Sequence, residues 1–328
     1  MSFDGTTPIA GPAGRAAEAK HSVPPPRRAL GSRLSAAQRE AIAGYLFVLP
    51  DALGLFVFVG LPMLLALAIG FFDVNGFGAF TFAGLDNYRR MMADPLFWQC
   101  ARVTATYVVL LVPSLYVAGL GLALLVQETN RFNTVMRSFF FAPQMVSLVV
   151  IALIAQVMTA DKIGVIARLF ALVGIHGVSL LGDPNLALYT VVFISVWFLM
   201  GFYMLIFLGG LQDIPQQYYE AARMDGAGRI ACFLHITMPL LRPTSFFVLL
   251  VSLVAAVAGS QAFDLIYVMT RGGPANSTAV LITYIYQQAF QYSAFGYAAA
   301  MASLLVVVLM LLTGALFLIT RGGRFDYE

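Results

Sequence analysis

Charge is what this sequence has least of. Only 11% of its 328 residues are Asp, Glu, Lys or Arg, against about 25% in ordinary soluble domains. Cysteine is almost missing: Cys100 and Cys232 stand far apart and lack metal-ligand spacing. A disulfide framework is thereby excluded, and no zinc motif is present. The three histidines, His21, His176 and His235, are scattered, so no catalytic cluster forms by proximity in sequence. There is no Walker A phosphate loop, and the chain is not expected to hydrolyse ATP itself. No ladder of Asp, Glu or His crosses the apolar segments, which argues against a proton relay. No internal repeat is visible.

What is abundant is apolar. Hydrophobic residues make up 60% of the chain, and the mean hydropathy is +0.84. These values define a polytopic membrane protein. Six apolar runs fall at about 42–72, 101–126, 135–159, 187–211, 243–269 and 295–320, each near or above the roughly 20 residues needed to span a bilayer. The fold class expected is all-helical with six transmembrane helices. The first run is overlong and holds Pro50 and Pro62, so part of it is assigned to an interface. Pro143 lies inside the third, where neighbouring helices have to satisfy the carbonyl it frees.

Residues 1–40 are polar, with Pro24-Pro25-Pro26 and Arg27-Arg28. They read as a disordered tail, with 41–328 as the membrane domain. The tail's basic residues fit either anionic lipid or a solvated segment that sets orientation. Thirteen basic residues fall on one side of the six-run topology: Arg15, Lys20, Arg27, Arg28, Arg33, Arg39, Arg131, Arg137, Arg223, Arg229, Arg242, Arg321 and Arg324. Five fall on the other: Arg89, Arg90, Lys162, Arg168 and Arg271. The positive-inside rule makes the richer side cytoplasmic, with both termini there.

The loop at 212–242 reads as structure although it lies outside the apolar runs. Pro215 suits a helix start, and 216–225 contain no helix breaker. Gly226 permits a turn, Gly228 is a tolerable cap, and a second short helix is expected to about His235, with Pro239 stopping it. Glu220-Ala221-Ala222, then Gly226 after three residues, Ile236 after nine more, and Met238-Pro239 follow in order.

That pattern resembles the cytoplasmic coupling motif of ABC importer permeases, and Asp225-Gly226-Ala227 fits the version in sugar importers. Met238 stands where the family usually has Leu, and Gly228 where it often has Ser. Gly84-Leu85-Asp86-Asn87-Tyr88 and the Gly272-Gly273-Pro274 turn also resemble sugar permeases, and the likeness covers nearly all of 42–328. It implies the type I importer permease fold and a non-catalytic subunit with no cofactor of its own, ATP and Mg²⁺ being bound by partner subunits. The partners implied are a homologous second permease, two ATP-binding subunits, an extracytoplasmic solute-binding protein and membrane lipid, with no nucleic acid. It also implies residence in a bacterial plasma (inner) membrane. Within the likeness, Glu220, Ala221, Ala222, Asp225, Gly226, Ile236 and Pro239 are the coupling residues.

Ionisable and polar groups inside spans are costly and become candidates for the solute pathway. Gln261 and Asp264, three apart, share a helix face; they fit sugar hydroxyls or bonds to neighbouring helices equally. Gln144 forms a similar pair with Ser147. Trp197 shares a face with Gly201 and Met204 and fits stacking on a sugar, or packing and lipid contact. Tyr284, Tyr286 and Tyr292 read as an outer aromatic belt. Two rivals stay open: a permease for glycerol 3-phosphate or a related phosphodiester, and an ion-coupled secondary transporter, which would not need the 212–242 motif.

Overall fold

The structure is a computed structural model. It describes residues 36–160 and 179–320, apart from positions 75, 77 and 79, together with 164–166 and 168. Residues to Phe58 and residues from Val59 form separate compact units. Most of the tail, His176, Arg321 and Arg324 lie outside the described residues.

Among the described residues four helices are long and apolar enough to cross a membrane: Ala37–Ile69, Pro95–Leu125, Ala187–Gln212 and Phe295–Leu318. Two bent pairs raise the number to as many as six if each pair is counted as one span: Arg131–Met145 with Leu148–Met158, and Arg229–Leu240 with Arg242–Ala258. The helical run of 33 residues at the start measures about 50 Å at 1.5 Å per residue, well beyond a 30 Å hydrocarbon layer. It begins at Ala36, inside the stretch assigned to the tail. It passes Pro50 without breaking and loosens into a π turn at Phe56–Gly60.

The core forms where Pro95–Leu125 lies along Ala187–Gln212. The Tyr107 hydroxyl meets Ser195 Oγ at 3.0 Å, and the Tyr116 ring meets Phe207 edge-on at 5.2 Å. Contact numbers rise together, so the two helices run in the same direction. Tyr116 also bonds Ser245 Oγ at 2.9 Å, near the start of Arg242–Ala258. The Pro95 and Ala187 ends therefore lie together, and the segment after Gln212 lies at the opposite end. Tyr107, Leu115, Tyr203, Met204 and Phe207 are almost wholly buried here. Between helices in lipid, this is close van der Waals packing, since lipid tails are as apolar as leucine.

Several expectations need correcting. The third run is not one helix: Arg131–Phe141 passes into a 3₁₀ turn at Ala142–Met145, and the chain bends by 94° before Leu148–Met158. Pro143 does more than kink the helix, because its ring and missing N–H end the α-helical ladder there. The fifth run, expected at 243–269, is interrupted at Gly259, whose backbone is extended at ψ 142°, giving Arg242–Ala258 and Ser260–Met269. The helical fold is as expected, and a small antiparallel hairpin, Phe72–Val74 with Phe80–Phe82, is added to it. A short helix, Asp86–Ala93, follows it.

Candidate functional site

The motif loop folds as two helices. Gln216–Met224 comes first, with Pro215 as its N-cap. It ends in a defined cap: Gly226 has φ +82°, its N–H reaches Arg223 O at 3.0 Å, and Ala227 N–H reaches Ala222 O at 2.9 Å. These two bonds and the left-handed glycine make a Schellman motif, which satisfies carbonyls the helix end would leave unpaired. Ala222 and Gly226 thus fix the elbow through their backbones.

Gly228 opens the next helix without a side-chain cap. That helix does not end near His235 and Pro239 does not stop it. It continues through a π turn at Phe233–Thr237 to Leu240 and then bends by 64°. Pro243 lies in the first turn beyond the bend. A proline there has no N–H to continue the preceding ladder, and its ring clashes with the carbonyl four residues back.

The two motif helices are tied by Tyr219 and Thr237, whose hydroxyls lie 2.9 Å apart. Tyr219, Ile236, Met238 and Leu240 pack against the main core, so Ile236 anchors the motif to the membrane domain. The other side is open. Met224 is 88% exposed and Ile230 77%, with Tyr218 and Leu234 also exposed. Glu220 and Asp225 are exposed as well. The one ion pair among the described residues is Arg89 with Asp86, so neither Glu220 nor Asp225 has an ionic partner within the described chain. An apolar surface with unpaired carboxylates, outside the long spans, is suited to docking another protein.

A second polar cluster occupies the opposite end. Asp94 Oδ1 accepts from Leu96 N–H at 2.9 Å and caps the Pro95–Leu125 helix. Asp94 Oδ2 accepts from the Tyr284 hydroxyl at 2.6 Å and the Tyr297 hydroxyl at 2.7 Å. One carboxylate therefore joins the start of Pro95–Leu125 to Leu281–Tyr286 and Phe295–Ile319. Burial opposes ionisation of Asp94, but the two phenol bonds and the Leu96 and Phe97 amides outweigh it and hold the carboxyl below its ordinary 3.8. Burial, and then the bond to Asp94, push the Tyr284 phenol up. Tyr284 is 5% exposed, so it is not a belt residue, whereas Tyr292 is 67% exposed. Nearby, Asn87 Nδ2 donates to Gly70 O and Phe72 O at 3.1 and 2.9 Å, fixing the hairpin.

Replacing Asp94 by alanine removes a helix cap, worth about 0.5–2 kcal/mol. It also leaves two buried phenols without their acceptor, at about 1–3 kcal/mol each. The purified protein should melt several degrees lower, and Asp94→Asn should lose less because asparagine still caps. An unchanged melting point for Asp94→Ala would contradict this role. The carboxyl is depressed when folded, so its contribution is present above about pH 4. It should be lost only as pH falls through the lowered value.

The candidate pathway residues diverge. Gln144, on the 3₁₀ turn, donates to Phe198 O at 3.0 Å and is engaged in holding the 94° corner. Trp197 is 42% exposed, in line with exposed Phe193 and Tyr189 one and two turns earlier, while Met204 is fully buried. Gln261 and Asp264 sit in the first turns after the break at Gly259, on Ser260–Met269. Both are half-buried, and their side chains make no hydrogen bond or ion pair with the described residues. Phe263 and Tyr267 stack beside them at 5.1 Å.

The fold and the exposed loop define the membrane-spanning subunit of a transporter. The chain belongs to the family of binding-protein-dependent transport system inner membrane components, whose model matches residues 115–321. It is 35% identical to a probable ABC transporter permease protein of Bacillus subtilis, YesP, over 85% of this chain and 91% of that protein. It is 32% identical to the trehalose/maltose transport system permease protein MalF of Thermococcus litoralis, over 88% and 95% of the two chains. Its fold matches a chain in the crystal structure of a bacterial ABC transporter involved in import of the acidic polysaccharide alginate. The TM-score is 0.75 at 21% identity, over 88% of this chain and 98% of that one.

Proposed function

We propose that this chain is one of two permease subunits of an ABC importer for a sugar. The solute is delivered by an extracytoplasmic binding protein, and ATP is hydrolysed by two partner subunits, one of which receives the Gln216–Leu240 loop of this chain. The observation that carries this reading is the exposed face of the motif, with Met224, Ile230 and unpaired Glu220 outside the long spans. The permease needs no cofactor of its own, and its ATPase-facing loop and both termini face the cytoplasm. The sugar assignment draws on the MalF relative and on the sequence phrases around Asn87 and Gly226.

The test is reconstitution of the permeases, ATPases and loaded binding protein in proteoliposomes. Uptake should require ATP and ignore a collapsed ion gradient. In intact cells Met224→Cys should be shielded from an impermeant thiol reagent and Asn276→Cys labelled. Uptake driven by the ion gradient without ATP, or the reverse labelling, would overturn the reading.

Gln261 and Asp264 are assigned to the solute pathway because they are the half-buried polar pair left without partners beside an aromatic stack. A lost bond to an uncharged hydroxyl is worth about 0.5–1.5 kcal/mol. Gln261→Ala and Asp264→Asn should each raise the half-saturation of uptake several-fold with assembly intact. Unchanged transport by both would return them to helix packing.

A further inference from the structure

We propose that a polar pocket at the end of the molecule opposite the motif loop is an anchoring site for the binding protein. It would receive an acidic and a basic side chain from that protein's surface. The proposal rests on the function proposed above, which supplies the partner. The pocket is an open depression of about 450 Å³ lined by Asp73, Arg90, Gln288, Tyr292, Ser293 and Ala294. It lies between the hairpin, the Asp86–Ala93 helix and the turn that leads into the last span.

Its two charges are unlike and unpaired. Arg90 and Asp73 make no ion pair with each other or with any other described residue. Arg90 is nevertheless held in place, its guanidinium carbon 4.4 Å from the centre of the Tyr297 ring, a cation–π contact that fixes direction without neutralising charge. Tyr297 in turn donates to Asp94, so the pocket's cationic wall is built on the cluster that joins three helices. Gln288 is 9% exposed and forms part of the wall.

The charge pattern selects among occupants. A neutral sugar could hydrogen-bond to both side chains but would bring no opposite charge to either. A purely anionic lipid headgroup would pair with Arg90 and be repelled by Asp73. A protein surface offering one acid and one base satisfies both, and charge pairs at an interface rim steer docking and fix register. The binding protein is the partner that approaches this end in the proposed topology.

The whole transporter in nanodiscs, with loaded binding protein as the probe, tests this. Asp73→Lys and Arg90→Glu should each weaken binding about tenfold and raise the concentration that half-stimulates ATPase to match. The rate at saturation should stay within about twofold of wild type. The salt dependence of binding should be shallower in both. Asp73 bonds no described residue through its side chain, so Asp73→Lys carries the test if Arg90→Glu fails to assemble. Unchanged affinity in the variants overturns the pocket assignment while leaving the transporter reading intact. So does an effect of Arg90→Glu that follows only the anionic lipid content of the disc. Failure of the wild type to bind or respond to its binding protein would instead strike the function proposed above.

Discussion

Gly226→Val is expected to leave the protein in the membrane at normal levels and abolish uptake. Gly226 holds φ at +82°, in the left-handed region that costs an L-residue about 1–2 kcal/mol and a β-branched one more. No neighbouring atom lies within 4 Å of where a side chain would start. The obstacle is therefore backbone strain rather than space. Relief of that strain means abandoning the Gly226 and Ala227 bonds to Arg223 and Ala222, and with them the angle between the two motif helices. The exposed Met224 and Ile230, on either side of the elbow, would change direction relative to each other. Asparagine tolerates this conformation, so Gly226→Asn should keep part of the activity. Glu220→Lys, which leaves the elbow intact, should also block coupling by reversing an exposed, unpaired charge. ATPase stimulation by loaded binding protein reads the effect. A Gly226→Val protein with full transport would remove the coupling role of the loop.

The elbow was legible before the structure because it is local. Pro215, the absence of breakers to Asp225, and Gly226 all act within one turn of themselves. Apolar run length likewise located the spans, because it needs no knowledge of neighbours. Direction was not legible. Hydropathy treats Pro143 and Gly259 as minor interruptions, and whether a chain kinks or turns by 94° depends on what it packs against. The Asp94 cluster was missed for the same reason, since its partners lie 190 and 203 positions away in sequence. A partial signal was there: Asp94 followed by Pro95 before a long apolar run reads as a helix start. Tyr284 was misread as an aromatic belt residue because composition cannot tell an interface tyrosine from one bonded to a distant carboxylate.

Gly201→Ala is expected to have the larger effect on the fold itself. A β-carbon at position 201 would overlap Phe140 O and stand 2.9 Å from Phe141 Cα. Both are backbone atoms and cannot swing aside. They belong to the end of Arg131–Phe141, just before the 94° corner, where the absence of a side chain lets that helix press against Ala187–Gln212. Small residues allow such approach in membranes, where close contact is the main cohesive force. Gln144, bonded to Phe198 O one turn earlier on the same helix, fixes the corner in register. One methyl group would have to part the two helices, and overpacking of this kind typically costs about 1–3 kcal/mol or more. Gly209→Ala supplies the control, because that glycine is on the same helix and meets nothing within 4 Å. Detergent-solubilised Gly201→Ala should melt well below wild type and lose uptake, while Gly209→Ala should match wild type in both. Equal melting points for the two variants would mean that the corner does not rest on Gly201. The bend would then have to be held by Pro143 and its 3₁₀ turn alone.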